Sequence, residues 1–472
     1  MGSGQVTDWQ GKNVTVAGLG VSGIPAAKAL HGLGANVTVV NDGDDARARE
    51  QAAELRALGV TVRLGDGATL PEGTELVVTA PGWKPDKPLF TAAREAGVPV
   101  WGDVELAWRL RGPDAAPWLC VTGTNGKTTT TQMLASILKA AGLRTAAVGN
   151  IGVSLLDAVL GEERHDVLAV ELSSYQLHWA PSLRAHSAAV LNLAPDHLDW
   201  HGSMEAYAKD KGRIYEGNRV ACVYNVADKA TEDLVREADV EEGCRAIGFT
   251  LGAPAPSQLG VVDGVLVDRA FVENRQKNAQ ELAEVSDVNP PAPHNIANAL
   301  AAAALARAFG VPPKAVRDGL RAFTPDAHRI ALVADLDGVA YVDDSKATNT
   351  HAAQASLAAY ESIVWIAGGL AKGATFDELV ARSAKRLRGV VLIGADRALI
   401  REALARHAPE VPVVDLDRTD TGAMLAAVQE ARRLAVEGDT VLLAPACASM
   451  DMFVNYNQRG DAFASAVGEL GT

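Results

Sequence analysis

Binding phosphate takes positive charge and inward-pointing N–H groups held in place. The seven residues Gly123-Thr124-Asn125-Gly126-Lys127-Thr128-Thr129 supply both, between an apolar strand pattern and a helical one. Successive backbone N–H groups in such a loop cradle phosphate oxygens, and the helix N-terminus adds a favourable dipole. Lys127 would neutralise the terminal phosphates, and the Thr128 hydroxyl would reach Mg²⁺. The spacing departs from GxxxxGK[ST], because position 121 is valine. A plain glycine turn between strand and helix is the other reading. A second loop, Gly18-Leu19-Gly20-Val21-Ser22-Gly23, has Asp42 at the end of the next strand pattern. That is the layout of a dinucleotide site. A tight strand-to-helix turn alone can also select these glycines, and the same helix N-terminus can hold the diphosphate of another nucleotide conjugate.

Three further groups carry charge. Glu171 ends a strand pattern in Glu-Leu-Ser-Ser174, and His197 lies just past another in Asn192-Leu-Ala-Pro-Asp-His-Leu-Asp199. Strand ends face the crevice of an open α/β sheet, so their shared position suggests a metal site. Taken singly, Glu171 reads equally as a structural carboxylate and His197 as an exposed loop histidine. Mg²⁺ prefers oxygen ligands, so histidine would be an atypical member. Lys211, in Lys-Gly-Arg-Ile-Tyr215, reads by itself as a solvated helix charge and gains interest only beside a metal. Farther on, Asp343-Asp344-Ser345-Lys346-Ala347-Thr348-Asn349, Gly368-Gly-Leu-Ala-Lys372 and Ala444-Pro-Ala-Cys-Ala-Ser-Met-Asp451 each follow a strand pattern. Such loops can converge on one crevice, where two lysines would suit an anionic ligand. Each alone could be an ordinary turn.

The elements that must hold these residues alternate between strand and helix. Strands are expected at Asn13–Ala17, Asn36–Val40 and Leu76–Thr79, with a helix over Ile24–Leu33. A second block has strands at Trp118–Thr122, Val167–Leu172 and Ala188–Leu193. Its helices are Thr128–Ala141 and an Ala-rich one beginning at His294. A third block has strands at Val339–Val342, Ser362–Ala367, Val390–Ile393, Val413–Leu416 and Thr440–Ala444. Alternation of this kind predicts parallel sheets covered by helices. Boundaries are expected near residues 103 and 325.

Composition bounds the function. The 472 residues suggest about three domains at roughly 150 residues each. The 44 basic and 58 acidic residues leave a net charge of −14, which argues against a general nucleic-acid partner. Apolar residues at 48% and charged residues at 22% describe a globular chain. The longest apolar stretch, Ala297 to Gly310, contains Arg307, so no membrane span is expected. The N-terminus has no apolar signal core, and Val6 stands where a myristoylation signal wants Ser or Thr. Four cysteines, far apart in sequence and without a CxxC, read as reduced thiols of a cytoplasmic protein.

Together these residues resemble the Mur ligase family of peptidoglycan synthesis. The GTNGKTT loop, ELSSYQL, DHLDWH and HNIANALAA mark the family, and the likeness runs from GLGVSG to Asn455-Tyr-Asn-Gln-Arg-Gly460. The N-terminal glycine loop together with the KGRIY lysine favours the member that adds D-glutamate, which DDSKATN and PACASMD also fit. The resemblance implies an α/β chain of three domains. These are a Rossmann-like UDP-substrate domain (1–103), a central P-loop-type ATPase domain (104–325) and a Rossmann-like C-terminal domain for the amino acid (326–472). The implied activity is an ATP-dependent ligation of D-glutamate to UDP-N-acetylmuramoyl-L-alanine through an acyl phosphate, by a monomer.

By the same resemblance, Gly123, Thr124, Asn125, Gly126, Lys127, Thr128, Thr129, Asn295, Asn298, Arg329 and Asp344 would bind ATP. Gly20, Val21, Ser22, Asn41, Asp42, Asn150, Ser173 and Gln176 would bind the UDP substrate. Lys346, Thr348, Lys372, Ser449 and Tyr456 would surround D-glutamate. Lys127, His197, Lys211, Arg329 and Lys346 would be catalytic. Two Mg²⁺ ions are implied, one on Thr128 and Glu171, the other on His197 and Lys211. An ammonium has no lone pair, so the family implies a CO₂-derived carbamate on Lys211. Two rivals remain open. A nicotinamide-dependent oxidoreductase would use the first glycine loop but leaves GTNGKTT unexplained. A non-catalytic nucleotide sensor would use both loops.

Overall fold

The structure, a computed structural model, describes residues 8–470 apart from Thr419 and Thr421. The N-terminal reading therefore falls partly outside the described residues, at positions 1–7. Contacts divide the chain into two compact units: residues through Val288 together with Ile296–Phe323, and Asn289–Asn295 together with the chain from Thr324 onward.

The first unit carries two sheets. The smaller is built from β1 (Asn13–Ala17), α1 (Gly23–Gly32), β2 (Asn36–Asn41), α2 (Ala46–Ala57), β3 (Thr61–Leu64), β4 (Leu76–Thr79), α3 (Pro88–Glu95) and β5 (Val100–Gly102), with α4 (Asp103–Leu110) following. All five strands are parallel, in the order β3-β2-β1-β4-β5. Central strands of a covered parallel sheet are buried on both faces, which is why NVTVA and LVVT are dominated by valine and leucine, with only threonine among their buried polar residues.

The larger sheet begins with β6 (Trp118–Thr122), α5 (Lys127–Ala140), β7 (Ala147–Gly149), α6 (Leu155–Leu160), β8 (Leu168–Glu171), α7 (Ser174–His178) and β9 (Ser187–Val190). It continues through α8 (Leu198–His201), α9 (Met204–Gly212), β10 (Ala221–Asn225), α10 (Lys229–Glu237), β11 (Arg245–Phe249), β12 (Gln258–Val262), β13 (Val265–Asp268) and β14 (Gln280–Glu284). Two helices follow, α11 (Pro293–Ala308) and α12 (Pro313–Ala322). The strand order is β14-β13-β12-β11-β10-β9-β6-β8-β7, parallel from β7 to β12, with β13 and β14 antiparallel. Ala299 to Ala306 of α11 are fully buried, as a helix apolar on every side must be.

Six of these strands, β7 and β10 to β14, lie where the sequence pattern suggested none, as do β3 and β5 of the smaller sheet. The strongest missed signal is Asp263-Gly264 between two apolar runs. Both residues have positive φ (48° and 77°), and Val262 pairs directly with Val265, the two-residue hairpin that Asp-Gly favours. The fold also brings Cys222 and Cys244 together, Sγ to Sγ 3.9 Å, although 22 residues separate them; all four cysteines are free thiols.

The second unit holds β15 (Ala331–Leu336), β16 (Val339–Asp343), α13 (Thr350–Leu357), β17 (Ile363–Gly368), α14 (Asp377–Ser383), β18 (Leu387–Ile393), α15 (Arg397–His407), β19 (Val413–Asp415), α16 (Ala423–Leu434), β20 (Thr440–Leu443) and α17 (Tyr456–Leu470). Its sheet order is β15-β16-β20-β17-β18-β19, parallel except for the antiparallel edge strand β15. The expected strands and helices are all present, their ends coinciding or displaced by up to three residues, while β15 was not expected. The largest displacements are β9, which stops at Val190 rather than Leu193, and β18, which begins at Leu387 rather than Val390.

Candidate functional site

In the first unit, three neighbouring strands, β9, β6 and β8, end at one crevice. The loop after β6 turns on Gly123 (φ 157°) and Gly126 (φ 83°) before α5 begins at Lys127. A side chain at 126 would be strained by that φ, and its Cβ would lie 2.4 Å from Asn298 Oδ1. Asn192, just past β9, clamps the loop from both sides. Its Oδ1 accepts from Asn125 N at 2.9 Å, and its Nδ2 donates to Asn125 O at 3.1 Å. Thr124 N donates to Asn192 O at 3.0 Å, and Thr124 Oγ1 lies 3.0 Å from Tyr207 OH. The Lys127 ammonium donates to the carbonyls of Gly123 and Thr124 at 3.0 and 2.9 Å. A bound phosphate would offer that ammonium a stronger, charged acceptor in place of two neutral ones.

Lys211 is not the solvated charge its helix position suggested. It is 2% exposed, and its Nζ donates to Gly123 O at 2.8 Å. Burial pushes its pKa well below the usual lysine value, and the nearby Lys127 charge pushes it the same way, against the pull of Asp196 and Glu171. His197 caps α8 in a left-handed conformation (φ 55°) and is half exposed. Burial lowers its pKa as well, with Lys127 and Lys211 adding to the effect and Asp196 and Asp199 opposing it. Glu171 ends β8 at 1% exposure. Its Oε1 accepts from Asn150 Nδ2 at 2.8 Å, while Oε2 is buried without a hydrogen-bond partner. An orphaned carboxylate oxygen at a strand end fits a hard cation. Among the described residues no three His, Cys, Asp or Glu side chains converge as a metal cluster.

The loop after β1 faces a second cluster. Leu19 N donates to Asn41 Oδ1 at 3.1 Å, and Asn41 Nδ2 donates to Gly43 O at 2.9 Å, so Asn41 shapes the turn. A Cβ at position 23 would lie 1.9 Å from Gly18 O, so only glycine fits there. Asp42 is ion-paired with Lys87, which also lies over the Trp83 ring. Gly20 and Val21 form the turn itself, with Val21 86% exposed. Ser22 Oγ donates to Asp103 Oδ2 at 2.8 Å, and Gln176 Nε2 donates to the same oxygen at 3.3 Å. Gln176 also closes a capping box with Ser173 at the start of α7. Burial raises the Asp103 pKa, and its Oδ1 has no hydrogen-bond partner.

In the second unit, the loops after β16, β17 and β20 meet as expected. Asp344 N bonds Leu443 O at 2.8 Å, Ala446 N bonds Ala347 O at 2.9 Å, and Gly368 N bonds Pro445 O at 2.9 Å. The Lys346 ammonium sits 3.9 Å from the centre of the Tyr456 ring. Arg459, 1% exposed, joins two of the loops by donating to Ser345 Oγ, Ser345 O and Cys447 O. Burial pushes the Asp344 pKa up to about 6, against the Ser356 hydrogen bond and the Arg329 charge. Ser449 is buried, Thr348 N bonds Lys346 O at 2.8 Å, and Lys372 is exposed with φ 50°.

Residues 121–306 match the Mur ligase middle domain, and residues 328–447 match the Mur ligase glutamate ligase domain. The UDP-N-acetylmuramoylalanine–D-glutamate ligase of Streptomyces avermitilis is 88% identical over 466 residues, 99% of this chain and 100% of that protein. The chain belongs to the Mur ligase family. The protein of the same name from Thermobifida fusca is 60% identical over 463 residues, covering 98% and 99% of the two chains. Among solved structures, the MurF ligase of Thermotoga maritima in complex with ADP superposes with a TM-score of 0.57 over 98% of this chain and 96% of that one. At 16% identity, this is a likeness of fold. Residues 13–79 of this Mur ligase also match pyridine nucleotide-disulphide oxidoreductases. That match ends with β4 and so covers only the glycine loop and the strands around it.

Reasoning from this Mur ligase's sequence missed four supporting residues. Asn192 and Arg459 lie within stretches already singled out but without a role given to them, and Tyr207 and Asp103 lie outside the motifs. Asn192 alone had a local signal, as an amide directly past a strand end. Asn295 and Asn298 are both buried, at 6% and 7% exposure, and Asn295 Nδ2 donates to Pro290 O at 3.3 Å. Asn298 faces the phosphate loop through Gly126.

Proposed function

We propose that this Mur ligase joins D-glutamate to UDP-N-acetylmuramoyl-L-alanine at the expense of ATP, in peptidoglycan precursor synthesis. The observation that carries the reading is full-length identity of 88% to a relative of that name. The phosphate loop and the orphaned Glu171 oxygen agree with it.

A carboxylate resists amine attack because its oxygen is a poor leaving group. Phosphorylation by ATP removes that obstacle. Lys127 would leave the loop carbonyls and disperse charge on the transferred phosphoryl group, while the loop N–H groups hold the remaining phosphates. Mg²⁺ would supply further charge neutralisation, held by Thr128 and Glu171 and, at a second site, by His197 and Lys211. The buried, pKa-lowered Lys211 amine supports a CO₂-derived carbamate, because carbamylation consumes the neutral amine and yields an oxygen anion. Ser22, Asn41, Asp42, Asn150, Ser173, Gln176 and the Gly20-Val21 turn would bind the UDP substrate. Lys346, Thr348, Lys372, Ser449 and Tyr456 would bind D-glutamate, with Arg329, Asp344, Asn295 and Asn298 on ATP. We place the functional domains at 1–103, 104–325 and 326–472, acting as a cytoplasmic monomer. No described helix is long and apolar enough to cross a membrane.

Phosphate release measured with each component omitted in turn tests the reading. Release should require ATP, Mg²⁺, UDP-N-acetylmuramoyl-L-alanine and D-glutamate together. Turnover with another amino acid in place of D-glutamate would overturn it. The carbamate has its own test. Lys211→Ala should lose activity steeply and regain part of it with added acetate or formate, whereas Lys211→Arg should be inactive, since guanidinium keeps its charge. Full activity in both variants would remove the carbamate from the account.

A further inference from the structure

We propose that Asp210 is the positioning residue of the second metal centre, a single carboxylate that sets His197 and Lys211 at once. The inference rests on the reading above that those two side chains serve a second Mg²⁺.

Asp210 lies in α9, 5% exposed, next to Lys211 in the chain. Its Oδ2 faces two imidazoles, His178 Nδ1 at 2.9 Å and His201 Nδ1 at 3.1 Å, and its Oδ1 accepts from Arg213 Nε at 3.1 Å. A carboxylate only accepts, so both histidines turn a protonated Nδ1 toward it. The His201 side chain is fully buried, and its Nε2 lies 2.9 Å from Ser174 Oγ, whose hydroxyl donates to it. One acid thereby ties the end of α7, the end of α8 and the turn after α9.

The two candidate ligands hang from that knot. Four-residue α8 is too short to hold its own direction. His197 is its cap, and the His197 carbonyl accepts from both Trp200 N and His201 N at 3.1 Å. Fixing the His201 ring therefore fixes the backbone of His197. Tyr175 packs between them, its ring 4.9 Å from His197 and stacked on His201 at 5.5 Å. On the other side, Lys211 follows Asp210 directly, and its helix is pinned to the phosphate loop by Tyr207 on Thr124 and by Lys211 on Gly123. Groups behind metal ligands commonly set affinity because they orient the ligands.

Mn²⁺ binding in the presence of ADP, followed by electron paramagnetic resonance, tests the assignment without turnover. The wild-type protein should bind two ions. Asp210→Asn should weaken one of them about 10- to 100-fold. It should also reduce the ¹³C carbamate signal obtained with labelled bicarbonate and raise the Mg²⁺ needed for half-maximal activity, with KM for ATP unchanged. His201→Phe keeps an aromatic ring at the position but loses the N–H toward Asp210, and should behave alike if Asp210→Asn fails to fold. Two Mn²⁺ sites of wild-type affinity in either folded variant overturn the role of Asp210 alone. A wild-type protein that binds one ion, or gives no carbamate signal, overturns the second-metal reading and this inference with it.

Discussion

Asp344→Asn should make the second unit more stable at neutral pH while destroying activity. Asp344 is 8% exposed, and burial pushes its pKa from 3.8 up to about 6. The folded state thus holds the proton more tightly than the unfolded state. Between those two values it binds more protons, so stability falls as pH rises from about 4 to about 6, and the loss is complete above pH 7. The shift of 6 − 3.8 is 2.2 units, which at 1.36 kcal/mol per unit is about 3 kcal/mol. Asparagine keeps an acceptor for the Ser356 hydroxyl, which donates to Asp344 Oδ2, and carries no charge to desolvate. The variant should therefore gain up to about 3 kcal/mol at pH 7.5 and less at pH 4.5. Denaturant-dependent hydrogen exchange of peptides from β17 and β20 reads the second unit in the intact chain. A variant no more stable than wild type at pH 7.5, or a gain identical at the two pH values, would refute the electrostatic argument.

Lys127→Ala should lower phosphate release at least about 100-fold with an unchanged melting curve, because its ammonium serves developing charge and not the core; near-normal release would contradict the phosphate-loop assignment. Asn192→Ala removes the side chain that bonds both the N–H and the carbonyl of Asn125 and should raise KM for ATP roughly tenfold to a hundredfold, the equivalent of about 1–3 kcal/mol for backbone groups that lose these bonds. An unchanged KM would mean the loop holds its shape alone. Gly126→Ala should weaken ATP binding in calorimetry while the circular dichroism spectrum stays native, since its left-handed φ of 83° strains any side chain by about 1–3 kcal/mol and its Cβ meets Asn298. Wild-type affinity there would show that the loop tolerates the methyl group.

Much of the architecture was legible because parallel strands covered on both faces are runs of apolar residues, as in Asn13–Ala17 and Trp118–Thr122. The strand-end loops of the site were legible for the same reason, since each run stops at glycine or polar residues. What the pattern hid was burial that depends on distant packing. Lys211 closes a charged run, Lys209-Asp210-Lys211, in α9, yet the phosphate loop and Tyr207 of the same helix enclose it. Asp103 and Asp210 look like surface acids in sequence, and only the fold brings Ser22 and Gln176 to one and two histidines with Arg213 to the other. The β12–β13 hairpin had its Asp-Gly signal, but its strands are short and end in polar residues.

The central claim is that the carboxylate of UDP-N-acetylmuramoyl-L-alanine is phosphorylated and then taken by D-glutamate. Labelling that carboxylate with ¹⁸O and analysing both products by mass spectrometry tests it most directly. The account predicts an amide product with D-glutamate and not with L-glutamate, and one ¹⁸O atom carried into the released phosphate. Phosphate free of label, or equal product from the two enantiomers, would contradict it.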